Sequence, residues 1–184
     1  IVVGLFGLLL FVSAFGWGFS LFSGALALTV FQLPLLVRIT EQALRAVPDE
    51  LREGGLALGL SKWRTIVAVV LPSELPGLIT GIILAAGRAF GEAAVLMFTA
   101  GMSTPPLDFA DWNPASPTSP LNPFRPAETL AVHIWKINSE GLAPDARDIA
   151  AGASAVLVIA VLAFNLSARR LGRRIYRWLT AGKE

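Results

Sequence analysis

Arg88 and Glu92 are the only charged residues in the apolar stretch from Leu75 to Gly101. Four residues apart, they would share one face of a helix and could pair. A charge inside a bilayer costs at least about 2.5 kcal/mol on insertion scales, so such residues face a bundle interior or a wet pathway. The planar fork of an arginine matches the oxygens of a phosphate-like anion. Glu92 would then hold Arg88 in position or accept a proton from a partly protonated oxyanion. The competing role is architectural: a buried ion pair that keeps two helices in register. A ridge of small residues, Gly77, Gly81, Ala85, Ala89 and Ala93, runs one position away, about 100° round the helix. That ridge admits close helix packing, so Arg88 and Glu92 border an interhelical contact.

No other residues have the types and spacing of a catalytic site. There is no cysteine, which removes thiolate metal sites and cysteine nucleophiles. His133 is the single histidine, and without helpers it reads as a surface or packing residue. No Gly-x-x-x-x-Gly-Lys-Ser/Thr stretch occurs, so the chain carries no P-loop of its own. Neither a catalytic residue, nor a metal, nor a cofactor is expected. The net charge of +2 does not point to nucleic acid, because the basic residues sit beside apolar runs.

The elements that position Arg88 and Glu92 follow from the charge pattern. The 184 residues are 54% hydrophobic and only 15% charged, against about 25% charged in a soluble domain. No charge occurs from Ile1 to Val37 or from Ile149 to Ala168. With about 20 apolar residues per crossing, this predicts spans over 1–15, 19–37, 75–101 and 149–168. Gly16-Trp17-Gly18 separates the first two, and Pro34, Pro72 and Pro76 mark kinks or boundaries. Met102–Asp148 is a proline-rich loop, ordered against the surface by Phe109, Trp112 and Phe124. The chain opens at Ile1 inside an apolar segment with no signal peptide, which reads as truncation at the N-terminus.

Cations set the sidedness. Arg38, Arg45, Arg52, Lys62 and Arg64 lie in the 38–72 loop, and Arg169, Arg170, Arg173, Arg174, Arg177 and Lys183 in the 169–184 tail. The 102–148 loop has only Arg125, Lys136 and Arg147 against six acids. The positive-inside rule therefore puts the 38–72 loop and the tail in the cytoplasm and the proline-rich loop outside. The terminal arginines anchor the chain at the anionic leaflet of the lipid membrane.

Within the cytoplasmic loop, Glu53-Gly54-Gly55-Leu56-Ala57-Leu58-Gly59 is followed by nine residues and then Val69-Val70-Leu71-Pro72. Pro48-Asp49-Glu50 opens a helix, Gly59 can end it, and Ser61 can cap a second helix running toward Pro72. The plain alternative is a linker with an amphipathic helix on the membrane. The spacing resembles the EAA signature of ABC importer permeases, with Gly54 and Gly55 in place of two alanines. Each glycine costs the helix about 1 kcal/mol and predicts a softened element.

Three further stretches narrow the resemblance. Arg38-Ile39-Thr40-Glu41-Gln42-Ala43-Leu44 through Glu53, Arg88-Ala89-Phe90-Gly91-Glu92-Ala93-Ala94 with Phe98–Gly101, and Leu130-Ala131-Val132-His133-Ile134-Trp135 resemble the phosphate-importer permeases of the PstA type. Ala93 stands where that family often has threonine. The resemblance implies an all-α polytopic transmembrane bundle of the type I ABC importer permease fold, with about two spans missing at the N-terminus. It implies phosphate import at the bacterial inner membrane by a subunit that is not itself an enzyme. The implied partners are an ABC ATPase dimer, a second homologous permease subunit and a periplasmic phosphate-binding protein. In that family the Glu53–Gly59 element docks in the ATPase and transmits its closure to the spans. A sulfate or molybdate permease, or a membrane scaffold whose loop binds a cytoplasmic partner, are the competing expectations.

Overall fold

In the computed structural model, which describes residues 1–140 and 144–180, every element is a helix. Side chains are described through residue 174, so the tail arginine at 177 and Lys183 lie outside the described side chains. We number the helices α1 (Val2–Gly7), α2 (Leu21–Arg45), α3 (Asp49–Ala57), α4 (Lys62–Thr65), α5 (Leu71–Ala89), α6 (Ala94–Thr99), α7 (Leu130–Glu140) and α8 (Ala146–Thr180). π-helical turns at Leu8–Ala14 and Ile66–Val70 continue α1 and join α4 to α5.

Among the described residues three helical stretches are long and apolar enough to cross a membrane: Leu21–Arg45, Lys62–Ala89 and Ala146–Arg174. Val2–Ala14 is apolar but shorter than a crossing, where the sequence predicts a span over 1–15. The other helices overrun their predicted limits. α2 continues to Arg45, the third stretch starts at Lys62, and α8 runs unbroken through the basic segment after Ala168. Charge marks where apolar contact ends, but a helix continues past that point wherever its backbone bonds do.

The predicted span over 75–101 is not one helix. α5 ends at Ala89, and a turn closed by Gly91 N–H to Arg88 O (3.1 Å) and Glu92 N–H to Ala89 O (3.2 Å) precedes α6. The stretch stays apolar beyond Ala89 for a different reason: Val95, Leu96 and Thr99 of α6 are buried inside the protein.

The proline effects are local. Pro72 cannot donate a backbone bond, and its ring crowds the carbonyl four residues back. The turn before it widens, with Leu71 N–H reaching Ile66 O, and the helix passes through. Pro34 and Pro76 likewise lie inside helices rather than at boundaries.

The chain divides into two compact units. One comprises Ile1–Gln32 and Arg88–Val161. Here α1 lies close on α6, so that a Cβ on Gly4 would sit 3.0 Å from Ala94 O. Phe11, Ala27 and Val95 form one core, and Leu96, Ala100 and Val132 a second. Ser20 caps α2 by accepting Ser23 N–H (3.2 Å), while Leu21 and Phe22 N–H bond to Arg125 O and Pro123 O of the proline-rich loop. Phe124 packs on Phe22 (5.5 Å) and Trp17 (6.5 Å), so the loop is ordered there. Phe109 and Trp112 instead stay exposed.

The other unit comprises Leu33–Gly87 and the chain from Leu162 onward. The ridge of small residues packs here. Gly81 lies against Ile39, and a Cβ on Gly77 would be 3.7 Å from that of Ala43. Ala85 is buried. Ala93 falls beyond the helix end and does not extend the ridge.

Candidate functional site

α3 stands between two crossing helices, and each of its ends is fixed by a distinct device. Pro48 precedes the first turn, and Asp49 and Glu50 lie within it, where acids complement the helix dipole. At the other end Gly59 adopts φ +78°, a conformation that favours glycine. Gly59 N–H bonds to Leu56 O (2.9 Å) and Leu60 N–H to Gly55 O (3.2 Å), the paired bonds of a Schellman stop. Ser61 then caps α4, its Oγ accepting Arg64 N–H at 3.3 Å.

Two contacts tie α3 to its flanking helices. Arg52 Nη2 donates to Leu44 O at 2.6 Å, closing the end of α2. Arg52 appears in the sequence only as one cation of a basic loop, and nothing in its spacing marks it as a strut. The second contact is at Gly55, where an added Cβ would lie 2.7 Å from Thr65 Cγ2. Glycine at 55 is therefore the condition for α3 and α4 to touch, which corrects its reading as a softening residue. Gly54 has open space around it and retains the softening role. Gly54→Ala should stabilise α3 by about 1 kcal/mol, whereas Gly55→Ala should cost about 1–3 kcal/mol through overpacking. Thermal unfolding of the two variants in detergent checks the opposite signs.

The rest of α3 faces outward. Glu53, Gly54, Leu56, Ala57, Leu58 and Gly59 are exposed, Leu58 at 83%. Trp63, just beyond, is 72% exposed. Leu58 and Trp63 thus form an exposed apolar tip.

Arg88 and Glu92 do not form the predicted pair. Because the helix breaks between them, they share no helical face, and among the described residues no ion pair joins them. Arg88 sits in the last turn of α5, exposed, with its guanidinium carbon 5.5 Å above the Phe31 ring of α2. It therefore borders a helix–helix contact, as the sequence predicts, and a cation–π contact holds it there. Glu92 accepts Val95 N–H at 3.2 Å and caps α6. The sequence signal for this break is Gly91, two residues past the end of α5.

His133 Nδ1 lies 2.8 Å from Glu128 Oε1 at the start of α7, a packing and surface role. Asp111, in the proline-rich loop, has its carboxyl held below the usual 3.8 by hydrogen bonds from Ser116, the Asn113 backbone and Thr118. The stabilisation these bonds give is full above the ordinary value of 3.8 and is lost as pH falls through the lowered value of the folded protein. Among the described residues no group of His, Cys, Asp and Glu could hold a metal ion.

Residues 1–181 match the family described as the binding-protein-dependent transport system inner membrane component. The chain belongs to that family. It is 63% identical over 181 residues to the probable ABC transporter permease protein YqgI of Bacillus subtilis, covering 98% of the chain and 62% of that protein. It is 35% identical over 162 residues to the phosphate transport system permease protein PstA 2 of Mycobacterium bovis, covering 88% of the chain and 50% of that protein. With the phosphate transport system permease protein PstA of Mycobacterium leprae it shares 44% identity over 117 residues, 63% of the chain and 38% of that protein. The chain thus spans less than two thirds of the length of these relatives. No solved structure matches it. The family is one of transport-system inner membrane components, and the relatives named above are described as permease proteins.

Proposed function

We propose that this permease is a subunit of an ATP-driven phosphate importer in the bacterial inner membrane, coupled to a separate ATPase through Glu53–Gly59. The observation that carries the reading is α3: a short helix with a rigid stop, an outward apolar tip, and a tether to the helix on either side. The density of cations around it supports a cytoplasmic position. Force applied to the tip would pass through Arg52 to α2 and through Gly55–Thr65 to α4. Both spans would then move with α3, and the pathway would open alternately to each side. A second permease would complete the pathway, and a periplasmic phosphate-binding protein would deliver the substrate.

Phosphate as the substrate draws on the names of the PstA relatives and on the chemistry of Arg88. An exposed guanidinium in apolar surroundings requires a polar neighbour, and a pathway carrying an oxyanion supplies one. Glu92 would set the shape of the turn that presents Arg88. Uptake of labelled phosphate by cells that depend on this transporter tests the substrate. Competition by unlabelled phosphate, and not by sulfate or molybdate, is the expected result. Equal competition by sulfate or molybdate would assign the permease to another oxyanion.

A further inference from the structure

α5 and α8 meet where Gly172 lies against Ile79, a contact that a larger residue on α8 would prevent. Beside this contact is a groove of about 510 Å³. Its floor is apolar, with Ile79, Ile83 and Leu166, and its rim carries Arg169, Arg170 and Arg173. All of these residues belong to one compact unit. Leu166 is 56% exposed, and both Arg169 and Arg170 are exposed. Among the described residues no acidic side chain pairs with Arg169 or Arg170.

An apolar slot ending in a cluster of arginines is chemically divided in the same way as a lipid with an anionic headgroup. Phosphate oxygens suit the arginine forks, and an acyl chain suits the floor. A surface anchor would need only the arginines, and inorganic phosphate would need no apolar floor. The combination selects the amphiphile. We infer that the α5–α8 groove binds one anionic diacyl phospholipid, its headgroup phosphate held by Arg169 and Arg170 and one acyl chain lying along Ile79, Ile83 and Leu166. The site is separate from Arg88 and from α3, and it stands whether or not phosphate is the transported substrate.

Native mass spectrometry of the intact transporter in detergent tests this, with phosphatidylglycerol, phosphatidylcholine or inorganic phosphate added. Phosphatidylglycerol should be retained in preference to phosphatidylcholine. The double variant Arg169→Gln/Arg170→Gln should weaken that retention about thirtyfold, equivalent to about 2 kcal/mol. Thr80→Trp leaves every arginine in place but fills the groove, since Thr80 lines it and is exposed. It should abolish retention, so the test holds even if the double variant fails to assemble. Equal retention of both lipids, insensitivity to either variant, or displacement of lipid by millimolar inorganic phosphate would each overturn the assignment. So would cross-linking of Thr80→Cys to another polypeptide, which would give the groove to a protein helix.

Discussion

Arg88→Gln is expected to lower substrate uptake by about tenfold to a hundredfold while leaving the amount of permease in the membrane unchanged. A hydrogen bond to a charged group contributes about 1.5–3 kcal/mol, which sets that range. Glutamine keeps most of the side-chain length and can still lie over Phe31, but it loses the charge and the fork. Arg88→Lys keeps the charge alone and should recover only part of the activity. The purely architectural role makes a different forecast. Arg88 lies in the last turn of α5 and forms no ion pair with Glu92 among the described residues, so a structural arginine would be replaceable at little cost. Uptake that survives Arg88→Gln in a normally inserted protein would remove Arg88 from the pathway. Glu92 gives a second comparison. Glu92→Gln retains an oxygen to accept Val95 N–H and should preserve the turn, whereas Glu92→Ala should lose about 1 kcal/mol of capping.

Leu58→Asp should release the ATPase. Leu58 is 83% exposed and makes no core contact, so the substitution should leave the permease folded. Burying a leucine fully in a partner contributes about 1.5–3 kcal/mol, and a buried carboxylate in its place would add a desolvation penalty. The expected loss in affinity is at least tenfold to a hundredfold. Glu53→Lys, also exposed, should weaken the same complex through charge reversal. Co-purification measures both effects. If both variants retained the ATPase at wild-type levels, α3 would not be the contact.

The α3 region was largely legible because its signals are local. Pro48-Asp49-Glu50 starts the helix, Gly59 ends it and Ser61 caps the next, and each acts through backbone bonds within a few residues. The meaning of Gly55 was not legible, because it depends on Thr65 ten residues away in another helix. Arg52 is similar, since its partner is a carbonyl at the end of α2. The stretch after Ala89 misled for a more general reason. Lipid contact and protein burial both select apolar residues, so hydropathy alone could not separate a continued span from a short buried helix. The Arg88–Glu92 spacing implied a pair only on the premise of an unbroken helix. Gly91 was the residue that argued otherwise. The small-residue ridge is legible as far as Ala85, because close packing at Gly77 and Gly81 follows from side-chain size along a continuous helix.

The most direct test of the coupling claim uses the absence of cysteine from these 184 residues. Leu58→Cys places the one thiol of these residues at the tip of α3. With a short bifunctional reagent in intact membranes, it should cross-link to the ATPase subunit. A membrane-impermeant thiol reagent applied from outside should leave it unmodified. Labelling from the outside, or cross-linking that never captures the ATPase, would contradict the role of α3 as the coupling element.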